Sequence, residues 1–423
     1  MNLGYSLKKR LTHLTDAAKH LRTSDISSRD QVLIKISETL NHERAVLIRA
    51  NQKDLRALKK TSTPAFRDRL TVTAARIDQM IESLIQVAQL ADPLGEIVEM
   101  RTLQNGLLLK RVRSPLGVVF VIFESRPNVA LEAFSLAFKS GNAPILRGGK
   151  ESKHTTAVLY AMITRALVNT GFNKNLLWGI TDSDRSLLQT LLQQKQYIDV
   201  VIPRGGEGLI AFVQKHSLIP LIKNDRGLCH VYVHEDADLT MAIEVIHNAK
   251  TQRPGVCNAM ETLLVHQSVA EKLLPLLYEK LSASASTPVQ WHGCPRTLAI
   301  LKKRPFVFKA TTKTFDIEYL DLKMSCRIVR STDEAIEHID KHGSCHSEAI
   351  VTKSAATAKM FQEQVDAAAV YWNASTRFTD GFEFGLGGEI GISTQKLHVR
   401  GPVGLRELTS VRWWIDGKGQ VRK

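Results

Sequence analysis

The sequence predicts an α/β protein built on parallel sheets covered by helices on both faces. Between Gly117 and Gly208 short apolar runs alternate with amphipathic stretches. The apolar runs are continuous and rich in β-branched residues, as in VVFVIF at 118–123, which marks strands buried on both faces. A second alternating stretch starts near Cys229. Repeated β-α units of this length give parallel sheets, and such sheets bind ligands at the carboxyl ends of their strands.

The first ninety residues read as helices. Val32, Leu33, Ile36 and Leu40 recur at helical spacing, with Ser27 or Ser28 as the cap, and the pattern continues from Asn41 to Lys60. Thr73 to Leu90 is amphipathic and stops at Asp92-Pro93 and Gly95. The segment from Glu96 to Arg113 divides at Asn105-Gly106, a pair suited to the type I′ turn of a β-hairpin. After the strand at 117–124 come a helix over 128–140, a strand at 143–147, a helix over 151–169 and a strand at 176–180. A helix near 184–193, a strand at 198–202 and a helix after Gly206 complete this series. Strands at 230–234 and 261–266 flank a helix over 239–250, a helix follows Ser268, and a third region opens with AAAVYWN at 367–373. It then becomes rich in glycine over 381–391.

A chain of 423 residues is long enough for two or three domains. With 43% hydrophobic and 23% charged residues it has the composition of a globular protein. No apolar run is long enough to span a bilayer, and the polar N-terminus lacks the apolar block of a signal peptide, so the expected location is cytoplasmic, with no membrane partner. Its basic, amphipathic character also suits an organellar transit peptide, against which Asp16 argues. The five cysteines, Cys229, Cys257, Cys294, Cys326 and Cys345, are odd in number and show no CxxC spacing, which argues against a disulfide framework or a zinc site. The formal charge of +15 is spread along the chain without a nucleic-acid-binding motif. It reads as a solvated basic surface that also attracts anionic small molecules, with no nucleic-acid partner.

Three segments carry candidate chemistry. In TQRPGVCNAMET (251–262) Cys257 follows Arg253-Pro254-Gly255 on a turn; a nearby guanidinium favours a thiolate, so Cys257 reads as a reactive thiol or as a core thiol. Pro203, Arg204, Gly205 and Gly206 follow a strand and open a helix, which offers free N–H groups to phosphate or forms a tight βα turn. The glycine-rich stretch 381–391 is a backbone surface near a ligand or a flexible loop.

The motifs RPGVCNAMETLLV (253–265), ESRPNV (124–129), SGNAPILRGGKE (140–151), AIEHIDKHGSCHSEAI (335–350) and the long glycine-rich run 373–405 occur in one order. In these motifs the chain resembles the γ-glutamyl phosphate reductase family of the aldehyde dehydrogenase superfamily, over nearly its whole length. The resemblance implies an aldehyde dehydrogenase-like fold: a Rossmann-type cofactor domain, an α/β catalytic domain and a small oligomerisation hairpin. Its expected boundaries are 1–226 for the NADPH-binding domain with the hairpin at 96–113, 227–400 for the catalytic domain and 401–423 for a C-terminal oligomerisation and cofactor-domain segment.

By the same resemblance Cys257 is the nucleophile, with its own backbone N–H and Asn128 as oxyanion donors. Lys150 stands where NAD-preferring relatives carry a ribose-binding glutamate, so a 2′-phosphate and hence NADPH/NADP is implied. Arg147 replaces the lysine of that loop, Glu318 in EYLDL matches the glutamate that holds the nicotinamide ribose, and the turn 203–206 lies near the pyrophosphate. Arg126, Arg253, Arg377 and Arg400 are candidates for the carboxylate and phosphate of L-glutamyl 5-phosphate, or alternatively structural ion pairs. His230, His346 and His398 read as structural residues. Asn224 occupies the position of the hydrolytic glutamate of ordinary aldehyde dehydrogenases, which favours reduction of an acyl phosphate over aldehyde oxidation. The implied partners are a second copy of the chain and a separate glutamate 5-kinase. Two other readings compete: oxidation of a different aldehyde, and a basic binding protein that has kept the fold without the activity.

Overall fold

The structure is a computed structural model that describes residues 4–59, 64–182, 184–223, 226–283 and 286–422. The chain forms two compact units, one of residues 1–223, 385–391 and 402–423, the other of residues 224–384 and 392–401. No helix among the described residues is long and apolar enough to cross a membrane.

In the first unit the N-terminal segment is helical: Tyr5–Leu21, Ile26–His42, Arg44–Arg56, Pro64–Leu70 and Ala74–Gln89. The second of these helices is capped by Asp25, whose carboxylate accepts the Ser28 N–H at 2.8 Å, and not by Ser27 or Ser28. The aspartate lies three residues before that amide, where a cap oxygen reaches it.

Strands β1 (Ile97–Thr102) and β2 (Leu108–Pro115) form the expected hairpin, and the C-terminal strand Thr409–Asp416 adds to β2 antiparallel. The turn is not type I′. Gly106 has φ of 82°, Asn105 is not in the left-handed region, and the Gly106 N–H returns to Leu103 O at 2.9 Å. A turn that ends in a left-handed glycine fits the longer hairpin loop found here.

Four parallel strands make the main sheet of this unit: β3 (Val118–Phe123), β4 (Ala143–Arg147), β5 (Trp178–Ile180) and β6 (Val200–Arg204), in the order β5-β4-β3-β6. Every residue of β3 is buried, as its uninterrupted apolar run requires. The chain steps outward from β3 to β5 and then returns to the other side of β3 as β6. That reversal opens a crevice at the carboxyl ends of β3 and β6.

The second unit holds a seven-stranded sheet in the order β10-β9-β11-β8-β7-β12-β13. Its strands are β7 (Cys229–Val233), β8 (Met260–His266), β9 (Gln290–Gly293), β10 (Val307–Lys309), β11 (Lys323–Val329), β12 (Ser347–Val351) and β13 (Ala369–Trp372). All six pairings are parallel. Alternate residues face opposite cores. Val231, Val233, Leu263 and Val265 pack with Ile246, Leu273 and Leu277, while Tyr232, Leu264 and Ile350 pack with Ile336, Ile339 and Phe361.

The helix Thr332–His342, which covers the second face, starts on a serine cap backed by the Glu334 carboxylate. The Ser331 hydroxyl accepts the Glu334 N–H, and the Glu334 carboxylate accepts the Arg330 N–H at 2.8 Å and Arg327 Nη2 at 2.9 Å. Burial would raise this carboxyl, but the hydrogen bonds from Arg330 and Arg327 prevail and hold it at about 2, below its ordinary 4.5. A depressed acid stabilises the fold above its unfolded value and loses that contribution as pH falls through the folded one. Glu334→Gln is therefore expected to melt several degrees below the parent at pH 7. Thermal melts across the acid range should show that gap closing between pH 4.5 and about 2.

Candidate active site

Cys257 lies on a turn between the helix Leu239–Thr251 and β8, and it is half-buried. Three other segments of the same unit meet this turn. All of them lead into or return to the amino edge of the seven-stranded sheet. This departs from the expectation that ligands gather at carboxyl ends. The reason is strand order: β7, β8 and β11 are adjacent, so the residues just before them converge.

Gly227, just before β7, is the closest approach. A Cβ at this position would stand 1.9 Å from the Cys257 carbonyl oxygen, so only glycine fits. Its N–H donates to Glu318 Oε1 at 2.9 Å. The nucleophile candidate and the ribose-binding candidate thus stand on either side of one glycine. Cys229 donates its S–H to the Cys257 carbonyl at 3.2 Å and lies 3.8 Å from His346 Nδ1. Burial raises the Cys229 thiol well above its ordinary value, as suits a donor that stays protonated.

Asn258 ties the turn Thr376–Phe378 to the cysteine. Its amide donates to Thr379 O at 2.8 Å, its backbone carbonyl accepts the Thr376 hydroxyl at 2.7 Å, and its side-chain oxygen accepts from Arg377 Nη1. Arg377 also donates to Gln252 Oε1 at 2.9 Å. Burial lowers the half-buried Arg377, and repulsion from Arg253 adds to this, while Asp380, Cys257 and Glu383 oppose it. Arg377 is therefore a guanidinium within electrostatic reach of the Cys257 sulfur. Arg253 is exposed and close enough to repel it, so the two together form a positive region beside the thiol. Arg400 is engaged elsewhere: its Nη2 lies 2.7 Å from Asp366, which also pairs with Lys396.

His230 and His346 serve the framework. His230 donates its backbone N–H to the buried Glu348 carboxylate at 2.7 Å, and its Nδ1 stands 2.9 Å from the same oxygen, joining β7 to β12. His346 Nδ1 lies 2.8 Å from the Ser347 hydroxyl. Asn224 lies outside the described residues. Among the described residues no group of three or more His, Cys, Asp or Glu is arranged to hold a metal ion.

In the first unit the remaining candidates gather at the carboxyl ends of β3, β4 and β6. Arg126 is the residue before the helix Pro127–Lys139. Asn128, on the first turn of that helix, gives its amide to Glu132 at 2.8 Å. Arg147 ends β4 half-buried and donates to Asp184 O at 3.3 Å, while its Nε is buried with no hydrogen-bond partner. Burial lowers Arg147, with Asp182 and Asp184 opposing. Lys150 is exposed at the start of a short turn. Pro203 and Arg204 end β6, and Gly205 and Gly206 open the helix Glu207–His216. The Gly206 N–H at that helix start donates to Glu124 Oε1 at 2.8 Å, and a Cβ at Gly205 would meet the same carboxyl at 2.7 Å. This end thus accepts an oxyanion, here supplied by the chain itself.

Gly227, Cys229 and Asn258 belong to this site and carry no signal of their own in the sequence. Asn258 was within reach, because it follows Cys257 in the motif. Gly227 becomes meaningful only once β7 and β8 are neighbours.

The aldehyde dehydrogenase family model matches residues 7–289 of the chain. The chain is 46% identical over 424 residues to a γ-glutamyl phosphate reductase of Clostridium kluyveri, covering 100% of both sequences. It is 48% identical over 408 residues to one of Carboxydothermus hydrogenoformans, covering 96% of the chain and 97% of the relative. Its fold matches the crystal structure of the Thermotoga maritima γ-glutamyl phosphate reductase with a TM-score of 0.94 at 42% identity, covering 99% of this chain and 100% of that one.

A methyl group at position 227 must displace backbone, because its nearest neighbour is a carbonyl oxygen. Gly227→Ala is expected to lower kcat on the order of 100-fold, the cost of moving a reacting group by about an ångström. Steady-state kinetics on folded protein, checked by circular dichroism, measures this.

Proposed function

Because the chain belongs to the aldehyde dehydrogenase family, and within it to the γ-glutamyl phosphate reductases, we propose that it reduces L-glutamyl 5-phosphate with NADPH through a thioester on Cys257. The products are L-glutamate 5-semialdehyde and phosphate, a step of proline biosynthesis. The observation that supports this reading is the shared glycine: Gly227 gives its N–H to Glu318 and packs its Cα on the Cys257 carbonyl. A carboxylate suited to ribose hydroxyls and a thiol suited to acyl transfer are thereby held by one peptide segment.

The residues fit the cofactor chemically. The buried, unpartnered Nε of Arg147 and the exposed Lys150 offer positive charge at one strand end, and the turn at 205–206 accepts an oxyanion. Lys150 is the residue for a 2′-phosphate, and Glu318 the residue for the nicotinamide ribose. When bound, NADPH supplies the hydride.

Cys257 attacks the acyl carbonyl as thiolate, and the C–O bond to phosphate breaks with its electron pair leaving on phosphate. Phosphate is a good leaving group, so no strong general acid is needed. In this reading the Cys257 backbone N–H receives the carbonyl oxygen as charge develops. Asn128 serves as a second donor through the amide hydrogen that Glu132 does not engage. After reduction the C–S bond breaks, the carbonyl reforms and the thiolate is regenerated. Arg377 and Arg253 bind the anionic substrate and favour the thiolate. Arg126 and Arg400 are further anion ligands in this reading, Arg400 by exchange from Asp366. The hairpin sheet exposes Ile97, Met100 and Trp414 on one face and Trp413 and Ile415 on the other, apolar surface that a second copy of the chain would cover. A separate glutamate 5-kinase supplies the labile acyl phosphate.

Cys257→Ala is expected to lose about ten-thousand-fold or more in turnover. The assay is reduction of NADP⁺ by semialdehyde, run with and without phosphate. Full activity in the variant, or turnover independent of phosphate, would remove the thioester mechanism. Lys150→Glu is expected to lower the NADPH-over-NADH preference in kcat/KM about tenfold. An unchanged ratio takes Lys150 out of cofactor selection.

A further inference from the structure

One charge pair that the proposed chemistry does not use is almost sealed from water. Lys250 lies in the last turn of the helix Leu239–Thr251, and Glu261 is the second residue of β8. Their side chains are 0% and 1% exposed and 2.8 Å apart. The ammonium also donates to Met260 O at 2.9 Å, and the second carboxylate oxygen accepts the Leu320 N–H at 3.1 Å.

The pair joins the two ends of the segment 251–260, which contains Arg253 and Cys257. Through Leu320 it also fastens the segment that carries Glu318, two residues earlier. Leu320 has φ of 51°, a strained backbone for a non-glycine residue that the carboxylate helps to hold. One side chain therefore sets the spacing of two loops that each carry a residue of the proposed mechanism.

Stability alone is a poor reason for this pair. Removing two charges from water costs about as much as their attraction returns, and apolar residues of similar volume often serve as well or better. Burial pushes Glu261 up to about 7, opposed by Lys250, and pushes Lys250 down. Among the described residues, Glu318, Asp321, Tyr319 and Cys229 also act on the pair electrostatically, and none of these four supplies positive charge.

We infer that Lys250 and Glu261 are positioning residues, a buried clamp that fixes the Cys257 loop relative to the Glu318 loop. The inference rests on the reading of Cys257 as nucleophile and Glu318 as cofactor ligand.

The test compares the parent with Lys250→Met/Glu261→Leu and with Glu261→Gln. Three quantities are measured: melting temperature, kcat with the KM for NADPH, and the rate of Cys257 alkylation by iodoacetamide without substrate or cofactor. The double variant removes both charges together and fills the space, so it is expected to melt within a few degrees of the parent. Its kcat is expected to fall on the order of 10- to 100-fold, with a higher KM for NADPH and an alkylation rate changed several-fold. Lys250 and the Leu320 N–H bond different oxygens of Glu261, and an amide replaces one of these oxygens with an NH2 donor, so in the parental geometry it meets one of the two donors with another donor. Glu261→Gln is therefore expected to fold and to lose several-fold in kcat. A folded double variant with parental kcat, KM and alkylation rate would overturn the clamp. Should that variant not fold, parental values in Glu261→Gln would overturn it equally. Because alkylation needs neither substrate nor cofactor, a change in it stands even if Cys257→Ala disproves the nucleophile.

Discussion

Between the Gly227 Cα and the Cys257 carbonyl there is no room for a methyl group, and the arrangement of the second unit follows from that contact. The segment that enters β7 must run against the turn that enters β8. This is possible because the two strands are parallel neighbours, with Cys229 opposite Met260. β11 lies on the other side of β8, so the segment carrying Glu318 arrives at the same edge and receives the Gly227 N–H. Polar groups around this contact are paired inward. The Cys229 thiol, the Asn258 amide and the Lys250–Glu261 pair each hold a carbonyl or an amide that would otherwise be buried unpaired.

A thiol at the amino edge of a parallel sheet runs against the rule that α/β sheets bind ligands at carboxyl ends. In the first unit the candidate residues do stand at carboxyl ends, where the edge of β3 and β6 carries Glu124, Arg126 and the glycine turn after Arg204. In the second unit the candidate residues instead stand on segments that lead into or return to the amino edge. The residues supplied there are cysteine, glutamate and arginine, which need rigid placement more than free N–H groups. Several separate segments hold them, each anchored by at least one buried hydrogen bond.

Much of this was legible in the chain. The strands VVFVIF and ETLLVH announce themselves because both faces are covered, so every position is apolar or nearly so. The short strands β9 and β10 did not, since QWHG and VFK are too brief and mixed for any period to register. Asp25 displaced the serines as cap because an oxygen three residues before the amide competes best. The Asn-Gly pair gave the hairpin but not its turn type, which loop length decides. Among the site residues, Cys257, Arg377 and Glu318 stood in motifs, whereas Lys250 and Glu261 looked like ordinary helix and strand ends.

The amino-acid sequence by itself determined the fold class, the alternation of strands and helices, and the motif that holds the cysteine, because these depend on local periodicity and on residues adjacent along the chain. Tertiary structure alone decided that Gly227 must be glycine and that Arg377, far along the chain, lies within electrostatic reach of the thiol. It also decided that Asn128 is held by Glu132 and that one buried carboxylate fastens two loops. Each of these turns on a distance of a few ångströms, nearly all between segments far apart in the chain, and strand order, not composition, sets such distances.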